Sequence, residues 1–257
     1  MNKDYALEFI EALPLKEHYP ALEGPESTGA PQVSFTKDNQ AVAIGSQIAE
    51  FAAGVPQEFR AAIANSILLA QLAADKAVPN TDGSSAVWRE AYRNVLFNTG
   101  WLFEGSSVSM QKVSQSGLEV SKAIIPVLAA ILGPAVAAAA LVTTILNGLA
   151  QMDKDSPWIT LFHQEARRAS ANQFQISYVQ APEGKAPRMT LIFFELDASA
   201  QVTQVLFFKF SSSSATLLHS HTDLSANTAV LKAIEPALEK KVADRAATFI
   251  NNIDISG

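Results

Sequence analysis

Three side chains near the carboxyl end of the chain have the types and the spacing of a metal site. His219, His221 and Asp223 occupy alternate positions in and just after a stretch, residues 215–222, that we predict to be a strand. Alternate residues of a strand project to the same face, so the two imidazoles and the carboxylate would lie side by side. The same spacing is typical of a solvated polar strand face, which is the alternative.

A second polar group lies in the sequence LFHQEARR, which contains His163 and is followed along a predicted helix by Glu165, Arg167 and Arg168. The H-E-x-x-H spacing of zinc proteases is absent, so a cluster of ion pairs on the helix surface is the interpretation that we favour. Arg167 and Arg168 are also candidates to bind the anionic headgroups of lipids, with a solvated helix face as the alternative.

The sequence contains none of the short motifs that mark common enzymes. It lacks a G-x-S-x-G elbow, a phosphate-binding G-x-x-x-x-G-K-S/T loop and a dinucleotide-binding G-x-G-x-x-G turn. Its lack of cysteine excludes disulfides, thiolate nucleophiles and zinc–cysteine sites. We therefore predict no catalytic residue and no cofactor and favour a protein that is not an enzyme. A hydrolase without a recognisable motif stays as a third alternative, because catalytic triads are assembled in space.

Charge and the amino-terminal sequence limit the partners and the location that we expect. The formal net charge is -6, which disfavours binding to nucleic acid phosphates. The partner should be a lipid membrane or a protein, and a second copy of the chain is included among the proteins. The first ten residues contain acids and no apolar core, so we expect synthesis in the cytoplasm, no classical signal peptide, and a non-classical route for any export.

Helical periodicity dominates the first two thirds of the chain. Apolar residues recur every three or four positions, which predicts helices at residues 3–12, 38–53, 57–78 and 84–103. Prolines and glycines follow the first of these helices, so we expect residues 1–37 to form a short helix and an extended linker. Residues 61–74 carry no charge, which predicts a helix that is buried on most sides.

The most informative segment is residues 123–152, in which thirty consecutive residues carry no charge. Gly133 and Pro134 interrupt this segment. Proline inside a helix is unfavourable by about 3 kcal/mol, so we predict a helical hairpin over 117–152 that turns at these two residues. The second arm would be about 27 Å long as one helix, close to the roughly 30 Å hydrocarbon core of a bilayer, whereas the first arm would reach about 15 Å.

The apolar side chains of this hairpin are candidates for membrane insertion. We expect the helices before it to form a shell around it in solution, so that a trigger such as low pH, lipid contact or proteolysis would be needed to release it. The candidate residues are Ile124, Val127, Leu128, Ile131, Leu132, Val136, Leu141, Val142, Ile145 and Leu146.

After residue 171 the hydrophobic period changes from 3.6 to 2, which predicts strands. Short connections favour an antiparallel meander of four strands, at about 173–178, 189–196, 202–210 and 215–222. A helix over 225–252 would then cover one face of the sheet. The predicted fold class is α+β, with a helical domain over 38–170 that contains the hydrophobic hairpin, and a sheet with its helix over 171–257. We expect both parts to pack as one globule.

In its hydropathy, the uncharged segment resembles the buried hydrophobic hairpins of α-helical pore-forming toxins and colicin-like pore domains. The resemblance covers residues 123–152 and implies a toxin or effector with conditional membrane interaction or pore formation. The short first arm and a turn without a polar tip depart from the pattern of those proteins. The alternative is a soluble interaction or assembly protein in which the hairpin is only the core, since small residues also allow close helix packing in soluble bundles.

Overall fold

The structure, a computed structural model, describes residues 2–15, 33–78, 85–111, 117–167, 171–198, 202–210 and 215–253, with the side chains of 106–111 excepted. Helices and strands alternate along these ranges. The helices are α1 Lys3–Ala12, α2 Gln57–Ala77, α3 Ser85–Asn98, α4 Val120–Leu132, α5 Pro134–Ala139, α6 Leu141–Gly148, α7 Pro157–Ala166 and α8 Thr228–Phe249. The strands are β1 Gln40–Ile44, β2 Gln47–Phe51, β3 Trp101–Gln111, β4 Asn172–Gln180, β5 Arg188–Ala198, β6 Ala215–Ala226 and β7 Ile250–Asn252.

Within the described ranges the strands form one seven-stranded sheet in the order β3-β6-β5-β4-β2-β1-β7. The pairing of β2 with β4 is parallel, and the other neighbours are antiparallel. This parallel pair joins strands that are far apart in the sequence, since Gln47 lies opposite Gln175. The sheet therefore contains strands from both the predicted helical domain and the predicted sheet domain.

Helices cover both faces of the sheet, and the alternation of side chains along β5 shows how. Leu191 and Phe193 belong to a core with α1, α2, α3 and α8, whereas Ile192 and Phe194 belong to a separate core with α4, α6 and α7. We call these the first face and the second face of the sheet. Both cores need a strand that is apolar on both sides, which explains the density of phenylalanine in this part of the sequence.

On the first face, α2 is the buried helix that the absence of charge over 61–74 predicts. Arg60 of α2 is only 1% exposed, and its side chain holds backbone segments that precede this helix. The guanidinium donates hydrogen bonds to the carbonyl oxygens of Lys37, Asp38, Ala52 and Val55, over 2.6 to 3.2 Å. One buried cation thus satisfies four backbone acceptors in the segments that precede β1 and follow β2.

The predicted helix over 38–53 is wrong, because this segment forms the antiparallel pair β1 and β2. The spacing of Ile44, Ile48 and Phe51 fits a helix, but the turn between the strands requires Gly45, whose φ is 52°. Gln71 of α2 then accepts hydrogen bonds from the backbone N–H and the hydroxyl of Ser46 and donates one to the carbonyl of Ile44. A long-range contact therefore stabilises the turn.

The predicted helix over 84–103 and the predicted four-stranded meander are each only partly correct. The helix ends at Asn98, and Trp101 begins a strand after Gly100, whose φ is 94°. Strands do form at 172–180, 188–198 and 215–226, but 202–210 contains a 3-10 turn at Val205–Phe207 in place of a strand. The neighbour of β5 in the sheet is β6, so the segment 202–210 lies outside the sheet order.

The predicted bundle with a hairpin inside a helical shell also differs from the structure. The uncharged segment forms three helices, α4, α5 and α6, followed by a 3-10 turn at Leu149–Gln151. These helices pack on the second face of the sheet, whereas α2 and α3 lie on the opposite face. Within the described ranges, no helix is both long enough and apolar enough to cross a bilayer.

Candidate functional site

The helices α4, α5 and α6 form a layer on the second face of the sheet whose inner side holds most of the predicted membrane-insertion residues. Six of these ten residues are buried, namely Ile124, Val127, Leu128, Val142, Ile145 and Leu146. The other four, Ile131, Leu132, Val136 and Leu141, are half-buried. The largest apolar side chains of the segment therefore contribute to the core and contact the sheet.

From residue 123 onward, the outer side of this layer is exposed and carries no charge. Over 123–139 its exposed residues are Pro126, Ala130, Pro134, Ala135, Ala138 and Ala139, which we call the apolar outer face. None of these side chains has a polar atom. The helix α8 on the other face of the sheet is different, because it carries seven charged residues in 22 positions. The exposed surface over 123–139 therefore differs from that of α8 in carrying no charge.

The turn between α4 and α5 lies at the two residues predicted for it. Gly133 has φ 85° and ψ 144°, a conformation that essentially only glycine adopts. Pro134 follows as the first residue of α5, where its missing N–H leaves no acceptor unsatisfied. The chain therefore turns without a polar side chain at this corner of the layer.

A carboxylate from the sheet holds the start of α6. Glu50 of β2 is 3% exposed, and its two oxygens accept hydrogen bonds from the backbone N–H groups of Leu141 at 2.8 Å and Val142 at 3.0 Å. Burial raises the pKa of Glu50, and the two N–H groups act in the opposite direction. We call this contact the Glu50 clasp. It places a buried anion at the amino end of a helix, where the helix dipole favours negative charge.

Tyr178 of β4 lies beside the Glu50 clasp, because it is opposite Glu50 in the parallel register. Burial, and then the charge of Glu50, raise the pKa of this phenol. Within the described part of the chain, Glu50 forms no ion pair with a lysine, arginine or histidine. The two backbone N–H groups are therefore the main stabilisation of its charge.

The entry into α4 is fixed by residues 202–210, which we call the strap. Three backbone hydrogen bonds of 2.8 to 2.9 Å join it to 117–120, through Gly117, Leu118 and Val120 on one side and Phe208 and Phe210 on the other. The layer is thus attached by polar contacts at the start of α4 and at the start of α6.

His163 connects the strap to α7 and is buried, where the sequence predicts a position on the helix surface. It is 9% exposed, and its Nδ1 accepts a hydrogen bond from the backbone N–H of Val205 at 3.3 Å. Burial lowers the pKa of His163, and the charge of Arg167 lowers it further. The imidazole is therefore held in its neutral form.

The three predicted metal ligands lie on one face of β6 but have separate contacts. Asp223 accepts a hydrogen bond from the hydroxyl of Thr190 at 2.7 Å, and the ring of His219 lies 6.3 Å from the ring of Phe194. Burial, and then the charge of His221, lower the pKa of His219. Among the described residues, no group of three potential ligands is placed to hold a metal ion. The structure therefore gives no support for a metal at His219, His221 and Asp223, and this site stays a prediction.

The two predicted lipid-binding arginines differ in what the structure describes. Arg167 follows the last residue of α7 and is exposed. Arg168 lies outside the described residues. The binding of an anionic headgroup by this pair therefore stays a prediction.

Comparison with known proteins gives no family for this chain. No protein-family model matches it, and no curated protein matches its sequence. Among solved structures, it is similar to a delta-endotoxin at 15% identity, with a TM-score of 0.35 over 66% of this chain and 75% of that one. It is also similar to the activated Cyt2Ba monomer from Bacillus thuringiensis subsp. israelensis at 16% identity, with a TM-score of 0.32 over 53% of this chain and 79% of that one. Neither similarity establishes a shared activity.

Glu50 is the residue of this site that the sequence patterns do not predict. Its signal in the sequence is a single carboxylate in QIAEF, residues 47–51. The residues around it, Ile48, Ala49 and Phe51, are apolar. Assigning 38–53 to a helix placed this carboxylate on a polar helix face. In the correct strand, the same residue lies between two buried neighbours and needs a hydrogen-bond partner from another element.

Proposed function

We propose that this chain is a non-enzymatic, membrane-acting protein of the toxin or effector type, and that the apolar outer face of α4 and α5 is the surface that first contacts lipid. The observation that carries the proposal is the absence of any charged residue from 123–152, on the exposed side as well as on the buried side. A helix that packs on a sheet needs only one apolar side, so burial alone does not explain the composition of the other side.

The exposed residues of this face fit a lipid partner in two ways. They are alanine and proline, which expose apolar surface without the charged or polar groups that form the rim of most protein interfaces. They also belong to the same two helices, α4 and α5, as six of the ten predicted membrane-insertion residues. A first contact through the apolar outer face would therefore bring the larger side chains of the same helices close to the hydrocarbon core.

Basic residues at the margins of the layer fit the headgroup region of an anionic membrane. Lys122 is exposed in the first turn of α4, and Arg167 is exposed after α7. Each basic residue near an anionic surface contributes about 1 kcal/mol of attraction. We therefore expect the protein to bind vesicles that contain phosphatidylserine more strongly than vesicles of phosphatidylcholine alone.

Vesicle flotation with charged variants tests this proposal. Ala130→Lys and Ala138→Lys each place a charge on the apolar outer face, whereas Ala243→Lys places the same charge at an exposed position of α8. We expect the first two variants to bind phosphatidylserine vesicles at least tenfold more weakly than wild type. The α8 variant should bind them as tightly as wild type. Circular dichroism and thermal unfolding should show that all three variants fold. Release of a dye trapped in the vesicles then distinguishes pore formation from surface binding.

Two results would overturn the proposal. The first is a wild-type protein that neither floats with the vesicles nor releases dye. The second is equal binding by all three variants. If Ala130→Lys and Ala138→Lys abolish self-association in analytical ultracentrifugation while vesicle binding is absent, the layer is an assembly surface, as in the alternative interpretation of the sequence.

A further inference from the structure

The interruption between α5 and α6 has no cause in the local sequence. The helix α5 ends at Ala139, Ala140 is extended with φ -67° and ψ 133°, and α6 begins at Leu141. Residues 135–147 contain no proline and no glycine. Alanine is the best helix former, and the β-branched residues 142–145 are themselves helical in α6, so propensity does not account for a break at Ala140. A contact from outside the segment must therefore stabilise the interruption.

The Glu50 clasp is placed to be that contact. In a continuous helix the N–H groups of Leu141 and Val142 would donate to the carbonyls of Ala137 and Ala138. In the structure both N–H groups donate to Glu50, and the carbonyl of Ala137 accepts from Ala140 at 3.3 Å. The clasp thus exchanges two hydrogen bonds within a helix for two hydrogen bonds to the sheet.

The interruption decides whether this part of the chain contains a helix of membrane length. The two helices α5 and α6, with six and eight residues, are about 9 and 12 Å long. A single helix over 134–151, which includes the 3-10 turn, would be about 27 Å long. That length is close to the roughly 30 Å hydrocarbon core of a bilayer.

We propose that Glu50 holds residues 134–151 as separate short helices on the sheet, and that loss of the clasp lets them join into one helix that crosses the bilayer. The inference rests on the proposed membrane function and adds that Glu50 controls when the membrane-crossing helix forms. Glu50 acts on the membrane segment through two backbone groups and is therefore a positioning residue. When the clasp opens, Leu141 and Val142 gain acceptors within their own helix, so their N–H groups need not stay unsatisfied in lipid.

Four proteins test the role of the clasp. Glu50→Ala removes both acceptor oxygens. Glu50→Gln keeps one carbonyl oxygen in a side chain of the same size, and should give an intermediate result. Leu141→Pro, introduced into Glu50→Ala, places proline at the first position of α6, where it fits the extended Ala140 before it but prevents a continuous helix. The wild-type chain is the reference.

The first measurement is the rate of dye release from phosphatidylserine vesicles. We expect Glu50→Ala to release dye at least fivefold faster than wild type, and the double variant to return to the wild-type rate or below. An unchanged rate in a folded Glu50→Ala protein overturns the inference. So does a double variant that is as fast as Glu50→Ala. If Glu50→Ala does not fold, the same comparison is made with Glu50→Gln and with Leu141→Pro in that background.

The second measurement does not depend on vesicle activity. The 13Cα chemical shift of Ala140 in detergent micelles should move from an extended to a helical value in Glu50→Ala, and the amide of Val142 should exchange with solvent at least tenfold faster in buffer. A shift that stays extended in micelles overturns the joining of the helices. Should the shift and the exchange change as expected while no variant binds vesicles, the control by Glu50 stands and the proposed membrane function fails.

Discussion

The backbone N–H of Val205 in the strap donates a hydrogen bond to Nδ1 of His163 in α7. A ring nitrogen can accept this bond only when it carries no proton. The contact therefore couples the attachment of the strap to the protonation state of one buried imidazole. Because the strap also holds the entry into α4, this coupling extends to the layer that carries the apolar outer face.

His163 should make the folded state less stable in acid. Its pKa is lowered from 6.5 in the folded protein, so the unfolded chain binds the proton more tightly. The contribution is fully present above pH 6.5 and is lost as the pH falls through the lowered pKa. Urea unfolding of wild type and His163→Asn between pH 4 and 7.5 measures it, since Asn offers an acceptor near the position of Nδ1 and does not titrate.

The difference in the free energy of unfolding between wild type and His163→Asn should decrease as the pH falls below 6.5. A constant difference over this range would show that His163 does not titrate with folding. The pKa of His219 in β6 is lowered as well, so His219→Asn is the matched variant for a histidine on another element.

Glu50 should have the opposite dependence on pH. Its pKa is raised from 4.5 in the folded protein, so the folded state binds the proton more tightly. The free energy of unfolding of wild type relative to Glu50→Gln should therefore be highest below pH 4.5 and fall as the pH rises through the raised pKa. Among the described residues of β1, β4 and α6, the titratable group that faces Glu50 is Tyr178, so Tyr178→Phe is the control. If the free energy of unfolding of wild type relative to Glu50→Gln rises with pH, the pKa of Glu50 is not raised by folding. Acid would then be the condition that opens the clasp.

Arg60 should be among the most sensitive positions of the first face. Arg60→Met leaves four carbonyl oxygens without their buried donor, and we expect a loss of about 3–5 kcal/mol in the free energy of unfolding. Arg60→Lys should recover only part of this loss, because one ammonium cannot reproduce the planar fork. The control is Arg93→Lys, at a half-buried arginine whose guanidinium carbon lies 4.8 Å from the ring centre of Phe103. This substitution should change the free energy of unfolding by less than about 1 kcal/mol. Equal effects at Arg60 and Arg93 would contradict this prediction.

The turn before α5 should tolerate only glycine. Gly133→Ala forces a side chain into a conformation with positive φ, at an expected loss of about 1–3 kcal/mol in the free energy of unfolding. Gly148→Ala lies in α6 with φ -83°, and should be neutral or stabilise the protein by up to about 1 kcal/mol. Thermal unfolding of the two variants gives the comparison. A neutral Gly133→Ala would show that the turn is not constrained as described.

The sequence predicts those parts of the fold that depend on local periodicity. The alternation of Phe174, Ile176 and Tyr178 with polar residues predicts β4, and the uncharged run over 61–74 predicts the buried α2. The turn at Gly133 and Pro134 is also predicted, because positive φ and a missing N–H are local properties. Mixed helix and sheet is therefore the correct class.

The parts that the sequence does not predict depend on partners that are distant along the chain. Apolar residues at 44, 48 and 51 fit both a helix and a strand, and the choice is made by Gln71 of α2 and by the parallel neighbour β4. The interruption at Ala140 has the same origin, because it depends on Glu50, about ninety residues earlier. Helix propensity over 135–147 predicts one helix, and a single buried carboxylate changes that outcome.

The placement of β4 in the middle of the sheet has a consequence for the order in which the protein can fold during synthesis. Residues 123–152 leave the ribosome before β4, β5 and β6, which supply much of the surface that buries them. At about 5–20 residues per second, the uncharged segment waits for several seconds without its sheet. We therefore expect chaperones that bind apolar segments to bind this nascent chain, and its yield in cells should depend on them more than the stability of the finished fold would suggest.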